Sequence, residues 1–425
     1  MRIPWLPAAL LAILPAAGAA QVREPDTEAR LRALEDQVAA LQAEIAALRQ
    51  AAGAAAPATV SPGAPVPESP AALAAAPTGG EPQQGALPVY GGGSSKALNP
   101  DIGAIGNFIA SGGPSRGGSD SLAPQPSLSL QESEVSLQAI VDPFARADFF
   151  LAIGEEGIEV EEGFVTFPTL PGGLLVKVGR MRANFGRLNA WHNHTLPWTD
   201  RPLVMYNLLG GATDDPDTGI KDAGISVSRL IPAGPLFMEA TAEVFRGDSG
   251  TLFHAERRQD VSALGRLRAY RDLGEATNLE VGASYARGHN DAGSAFLTQL
   301  YGADLTLRWR PLRGAHQHSF AARSELIWSR REEPAATQRA FGGFVSADYR
   351  LSRRWFAGAR YDWSDRARQA GIRDKGTSAL LTYWPSEFTQ VRGQYRRTAF
   401  GDDRVANELL LQVLFTIGAH GAHPF

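Results

Sequence analysis

Residues 301–309 read YGADLTLRW, and they alternate between apolar and polar side chains along their length. One face would carry Tyr301, Ala303, Leu305, Leu307 and Trp309, and the opposite face would carry Gly302, Asp304, Thr306 and Arg308. Successive side chains of a β-strand point to opposite faces of its sheet, so this period of two predicts a strand. The strand would have one apolar face and one mainly polar face.

The same alternation recurs between residues 102 and 418, where we count sixteen runs separated by turns. The last run places five apolar residues on one face, namely Leu409, Leu411, Val413, Phe415 and Ile417. Two folds fit such runs. In a soluble β-sandwich the apolar face would form a core, whereas in a transmembrane β-barrel it would face lipid and the polar face would line a wet lumen.

Three features favour the transmembrane barrel. The runs have about ten residues each, which is the length that a tilted strand needs to cross a bilayer. Aromatic residues stand at the ends of the apolar faces, as in interfacial girdles, for example at Trp355 and Trp363. The polar faces carry Arg together with Asp or Glu, which suits a water-filled interior better than a solvent surface covered in Lys. We therefore predict that residues 99–425 form an all-β transmembrane antiparallel β-barrel of about sixteen strands.

The first 98 residues predict three different segments. Residues 1–20 have one basic residue, an apolar stretch and small residues, as in a secretory signal peptide. Residues 51–98 are rich in Ala, Pro and Gly, which predicts a disordered linker. Residues 21–50 predict a short α-helical coiled coil, because apolar residues keep an unbroken heptad spacing at Leu31, Leu34, Val38, Leu41, Ile45 and Leu48. A lone amphipathic helix is the alternative.

Composition excludes several classes of protein. The formal net charge of −4 and the pI near 6.1 do not favour a nucleic-acid partner. The chain contains no Cys, which excludes disulfides, thiolate metal sites and Cys catalysis. A Gly-x-Ser-x-Gly match at residues 113–117 lies in a Gly/Ser-rich loop and not at a strand-to-helix turn. We therefore predict neither an enzyme nor a bound cofactor.

Residues 174–186 read LLVKVGRMRANFG, with a Gly-Arg pair that is followed by Phe-Gly. This segment resembles the strand-then-loop segment of the phosphate-selective porin-like family, and residues 99–425 resemble outer-membrane porins in general pattern. The resemblance implies a trimeric barrel of sixteen strands that passes small solutes. The family's Lys-rich phosphate site does not carry over, because Lys is found only at positions 96, 177, 221 and 375.

The predicted inner face carries more basic than acidic side chains. Its pore-lining candidates are Arg308, Arg310, Arg323, Arg350, Arg360, Arg392 and Arg396, together with the acids Asp304, Glu325 and Asp348. An excess of Arg in a wet lumen favours anions, so we expect a mild anion preference. Separately, the acidic run at residues 155–162 predicts either a solvated turn or a pore mouth that concentrates cations.

Residues 184–217 form the longest segment without clear alternation. A long barrel loop of this kind often folds inward and narrows the pore, and otherwise it covers the surface. His192 and His194 could supply two imidazole ligands to a metal, with Asp200 as the candidate for a third. The segment therefore predicts a polar constriction, a surface loop or a metal site.

These features lead to three hypotheses about function. The first is a porin, an outer-membrane channel through which small hydrophilic solutes diffuse. The second is a structural tether, in which the barrel is anchored in outer-membrane lipid and the coiled coil grips a periplasmic or cell-wall partner. The third is uptake of a metal or chelate through His192 and His194. We expect a homotrimer in the bacterial outer membrane, with the N-terminal segment in the periplasm.

Overall fold

The computed structural model describes residues 100–113, 128–154, 157–210 and 219–418. The predicted signal peptide, coiled coil and linker lie outside these residues, as do most of the Gly/Ser-rich loop and the acidic residues Glu155 and Glu156. No helix in the described part of the chain is long and apolar enough to cross a membrane.

Sixteen strands form one closed antiparallel barrel, in which each strand pairs with its neighbours in the sequence and the last pairs with the first. Closure leaves the sheet without a free edge. The number of strands predicted from the alternation is confirmed. The strands are β1 (Asp101–Gly112), β2 (Leu128–Asp142), β3 (Ala145–Gly154), β4 (Gly157–Leu170), β5 (Leu174–Arg182), β6 (Lys221–Ala233), β7 (Leu236–Phe245), β8 (Ser262–Gly274), β9 (Thr277–Asn290), β10 (Gly293–Trp309), β11 (Ser319–Glu332), β12 (Thr337–Arg350), β13 (Trp355–Arg366), β14 (Gln369–Ser386), β15 (Thr389–Ala399) and β16 (Val405–Gly418).

The seam between β1 and β16 depends on a small residue. Gly106 lies opposite Phe415 in the register of these two strands. The Phe415 ring occupies the space that a side chain at position 106 would need. Gly in a strand often marks such a close approach, so this pair fixes how the first and last strands meet.

The alternation separates the two faces of the barrel wall as the sequence predicts. In β16, Leu409 and Ile417 are 62% and 65% exposed on the outer face, whereas Glu408 and Gln412 are buried on the inner face. A large continuous apolar surface on the outside of a barrel is costly in water. The outer face therefore has the character of a lipid-facing surface.

Aromatic side chains pair across the strands towards both ends of the barrel. At one end the ring centroids of Trp355 and Tyr383 lie 4.6 Å apart. Towards the other end Trp328 stacks on Phe341 at 5.1 Å. Two aromatic bands that flank an apolar belt are typical of the interfaces of a transmembrane barrel.

The connections differ in length between the two ends of the barrel. At what we call the turn end, successive strands are joined by short turns, for example at residues 143–144 and 387–388. The opposite, loop end carries the long connection between β5 and β6 at residues 183–220. At the loop end β11 to β14 continue as strands into residues 330–339 and 364–375, where the sequence is mainly polar on both strand faces.

Candidate functional site

The chain between β5 and β6 folds into the lumen of the barrel. We call its described residues, 183–210 and 219–220, the inner segment. It contains a 3-10 turn (Asn193–Thr195) and one short helix, α1 (Leu203–Leu208). The predicted long loop therefore lies inside the barrel.

Asn189 joins the two ends of the inner segment. Its side-chain nitrogen donates to the carbonyl oxygens of Ala183 (2.8 Å) and Ile220 (2.9 Å). Its side-chain oxygen accepts from the backbone N–H of Ile220 at 2.8 Å. Because one amide satisfies three buried backbone groups, it closes the base of the segment.

The inner segment brings an apolar core into the lumen. Its side chains Phe185, Leu188, Trp198, Val204, Met205 and Leu208 are almost fully buried. They pack against apolar side chains that point inward from the barrel wall, namely Leu300, Ile327, Phe344 and Leu380. The rings of Trp198 and Phe344 meet edge to face at 5.3 Å. The lumen is therefore partly filled by a packed structure.

Residues 174–186, on which the family resemblance rests, form β5 and the start of the inner segment. Gly186 has a φ of +56°, and a Cβ at this position would meet the carboxylate of Glu325 on the facing wall. The same carboxylate accepts the backbone N–H groups of Arg187 and Leu188, both at 3.2 Å. Gly is needed here both for its backbone conformation and for the close approach.

Asp200 anchors the middle of the inner segment to β13 and β15. Its carboxylate accepts hydrogen bonds from Arg360 (2.9 Å), Arg396 (2.8 Å) and Gln394 (2.6 Å). Burial opposes the charge of this group, but the two guanidinium groups outweigh burial and lower the pKa of Asp200 to about 2. The predicted third metal ligand is thus engaged elsewhere.

A cavity lies between the inner segment and the turn-end halves of β10 to β15. It has a volume of about 160 Å³, and Trp191 and His194 of the inner segment form part of its wall. Five of the predicted pore-lining arginines line it, namely Arg308, Arg310, Arg323, Arg350 and Arg392. Among the described residues on this wall, Asp348 is the acidic one.

The other predicted pore-lining residues face the inner segment or the barrel wall. Arg360 and Arg396 bind Asp200, as described above. Asp304 accepts from Arg266 of β8 at 3.0 Å. A second cavity of about 250 Å³ lies at the loop end, beside α1. The inner segment therefore lies between two cavities in the lumen, each large enough to hold several water molecules.

His192 and His194 contact the barrel wall at β2 and β4, and His194 also borders the arginine-lined cavity. Nδ1 of His192 is 2.7 Å from Oε2 of Glu134, and its Nε2 is 2.7 Å from Oε2 of Glu162. Nδ1 of His194 lies 3.5 Å from the same oxygen of Glu134. Burial disfavours a charged imidazole, but the carboxylates of Glu161 and Glu134 outweigh it and raise the pKa of His192 well above its usual value.

A β-bulge explains why two consecutive glutamates face the lumen. Phe150 of β3 pairs with Glu162 and the next residue, Leu151, pairs with Val160, so Glu161 is an extra residue in β4. A bulge re-aims side chains, and here Glu161 and Glu162 are both buried inside. Alternation alone puts one of them outside, but both lie inside, so neither a solvated turn nor a pore mouth describes Glu161 and Glu162.

Comparisons with known proteins support the fold. No protein-family model matches the chain. An uncharacterised protein of Aquifex aeolicus is 29% identical over 337 residues, which cover 70% of each chain. Among solved structures, the outer membrane channel DcaP of Acinetobacter baumannii has a TM-score of 0.50 at 10% identity, covering 75% of this chain and 96% of that one. A loop-deletion variant of OmpT, an outer membrane protein of Vibrio cholerae, has the same TM-score and identity, with 75% and 99% covered. This chain therefore has the closed-barrel fold of such outer-membrane proteins.

Proposed function

We propose that the protein is an outer-membrane channel through which small hydrophilic solutes diffuse, with a mild preference for anions. The closed barrel, its lipid-facing outer surface and its polar inner wall support a channel. The observation that carries the proposal is the arginine-lined cavity at the turn end. Short turns face the periplasm in outer-membrane barrels, so this cavity would form the periplasmic vestibule.

The charge of this vestibule is not balanced by its own acids. Asp348 binds Arg323 at 2.6 Å. Arg392 donates instead to neutral oxygens, including the carbonyl of Leu196 (3.0 Å) and the side chain of Gln412 (2.9 Å). Arg350 donates to a backbone carbonyl oxygen. The wall therefore keeps an excess of positive charge, which raises the local concentration of anions.

The inner segment limits what can pass. It crosses the lumen and its apolar core packs against β10, β11, β12 and β14. A solute would have to move past this core between the two cavities. This geometry supports slow passage of small solutes and a low conductance for a barrel of sixteen strands.

Reversal potentials in planar bilayers under a KCl gradient test the anion preference. We expect the parent to favour chloride and the double variant R350A/R392A to lose most of that preference. One unit charge about 10 Å from an ion contributes about 0.4 kcal/mol at the dielectric constant of water, which is about a twofold change in local concentration. Arg313, exposed in the turn between β10 and β11, gives the matched control R313A. A cation-selective parent would overturn the proposal.

The proposal also covers the oligomeric state of the protein, its family and its N-terminal segment. A homotrimer would hold three coiled-coil segments at high effective concentration on the periplasmic side, which offsets the weakness of three short heptads. Kinship with the phosphate-selective porin-like family rests on residues 174–186. The tether hypothesis rests on residues 21–98, and deletion of residues 21–95 separates it from the channel, because a tether would lose envelope attachment while conductance survives.

A further inference from the structure

The cluster beside β2 and β4 has the composition of a metal site. Glu134, His192 and His194 each offer one ligand atom, and these atoms all lie within 4.8 Å of one another. His192 and Glu134 are joined at 2.7 Å, and His194 lies 3.5 Å from the same carboxylate oxygen. Two imidazoles and a carboxylate are a ligand set that zinc uses in proteins.

These separations are close to those of ligands that share one ion. Zinc bonds of about 2.0–2.1 Å in tetrahedral geometry place two ligand atoms about 3.4 Å apart. The two distances from Oε2 of Glu134 bracket that value, and the three ligand atoms lie at most 4.8 Å apart, so rotations of the His192 and His194 side chains would bring them to one ion. Oε2 of Glu161 lies 3.4 Å from Nδ1 of His192 and is a candidate for the fourth position.

The surroundings of His192 provide a second and independent feature of metal sites. With Nδ1 directed at the ion, Nε2–H of the same ring donates to Glu162 at 2.7 Å. Histidine ligands nearly always donate their other ring N–H to a carboxylate or carbonyl, which fixes the ring and its tautomer. Glu162 is itself held in place, because it accepts the backbone N–H of Arg182 at 2.6 Å.

The charge of the cluster suits a dication. Arg182 binds Glu161 at 2.7 Å, and both side chains are buried. Arg182 offsets the charge of Glu161, so Glu134 and Glu162 supply the two negative charges that a dication would balance. His194 also lines the arginine-lined cavity, so the cluster borders the lumen.

We propose that Glu134, His192 and His194 bind one divalent transition-metal ion of the zinc class, with Glu162 as the positioning residue that orients His192. The ion joins the inner segment to β2 of the barrel wall, in addition to the anchor that Asp200 makes to β13 and β15. The alternative is that a protonated His192 makes the same join by ion pairs alone. The two alternatives differ in whether the cluster takes up a stoichiometric metal.

Isothermal titration of the full-length protein in detergent with ZnCl2, after treatment with EDTA, measures that uptake directly. We expect one zinc ion per chain bound at the cluster. H194Q should weaken this binding at least tenfold, and E162Q about tenfold, as is typical for loss of a partner of a ligand. H254Q is the matched control, because His254 is a half-exposed histidine on a loop-end connection.

A second measurement guards against a variant that misfolds. The visible absorption of bound Co²⁺ reports its coordination by nitrogen and oxygen ligands, and circular dichroism reports the barrel. Intense absorption of tetrahedral Co²⁺ in the parent and in H254Q, lost in folded H194Q and E134Q, supports the site. The proposal is overturned if the parent takes up no stoichiometric zinc, or if H194Q binds zinc as tightly as H254Q. Neither readout depends on whether the barrel conducts.

Discussion

Replacing Asp200 with Asn should loosen the inner segment without changing its shape. Asn is nearly isosteric with Asp, but it cannot balance the charges of Arg360 and Arg396. Both guanidinium groups are buried and lie within 2.9 Å of this carboxylate. Removing one partner of a buried ion pair is destabilising, and here Arg360 keeps Asp362 at 2.8 Å and Arg396 keeps Glu408 at 2.6 Å, so each guanidinium group loses one of two carboxylates.

The pKa of Asp200 gives the size of this anchor. Its pKa is lowered from 3.8 to about 2. One pKa unit corresponds to about 1.4 kcal/mol, so the ionised carboxylate contributes about 2 to 3 kcal/mol, or a shift of about 60-fold in the equilibrium between docked and released segment. Because the folded pKa is depressed, this contribution is complete above about pH 4 and is lost as the pH falls towards 2.

Single-channel recording in planar bilayers at pH 7 would detect the release. The inner segment crosses the lumen, so its release should produce long openings of high conductance that the parent shows rarely. Trypsin provides a second readout, because Arg187 is buried in the docked segment and becomes cleavable when the segment leaves the wall. The parent itself should keep its low conductance from pH 7 down to about pH 5.

Asp248 supplies the matched control. It is a half-exposed carboxylate on the connection between β7 and β8 and pairs with Arg246 at the surface. Exposed ion pairs contribute little, so D248N should behave like the parent. If D200N and D248N gave the same conductance, opening frequency and trypsin resistance in folded protein, the inner segment would not be held by Asp200 and the reasoning would fail.

Three further predictions concern the same structure. G186A should destabilise the docked segment by about 1–3 kcal/mol in chemical denaturation, because the added Cβ would clash with Glu325 and the positive φ is unfavourable for Ala. G172A is the control and should cost less in the same assay, because Gly172 has a positive φ but open space around it. W198A should cost about 3–5 kcal/mol by the same assay, since Trp198 is fully buried in the inner core, and an unchanged midpoint would count against that packing. L34C should give covalent oligomers on oxidation in intact cells. The chain has no Cys of its own, so a crosslink can form only at position 34, and its absence would contradict the predicted coiled coil.

The barrel could be predicted because its signal is local. Each strand carries its own alternation, and the lipid outside and the wet lumen inside impose it along the whole membrane-spanning length. The signal weakens where strands extend beyond the apolar belt. There both faces are polar, so the alternation does not mark the loop-end extensions of β11 to β14.

The candidate metal site could be predicted only in part because its residues are distant in sequence. His192 and His194 stand out as a pair, but the carboxylates that contact His192 lie 58 and 30 residues away, at Glu134 and Glu162. Glu134 occupies an inward position in the alternation of β2, so its direction could be read from the sequence. Which inward residue meets which loop residue depends on the path of the inner segment, and no local pattern specifies that path.

Apolar residues at inward-facing positions of the barrel wall are the sequence feature that reflects the path of the inner segment. A water-filled lumen favours polar side chains at every inward position. Leu300, Ile327, Phe344 and Leu380 depart from that rule, and all four pack against the apolar core of the inner segment. Because an apolar side chain facing water would be unfavourable there, these four positions mark where the inner segment docks on β10, β11, β12 and β14. The polar inward positions, including the arginines of the turn-end cavity, mark the part of the lumen that stays wet and through which a solute would pass.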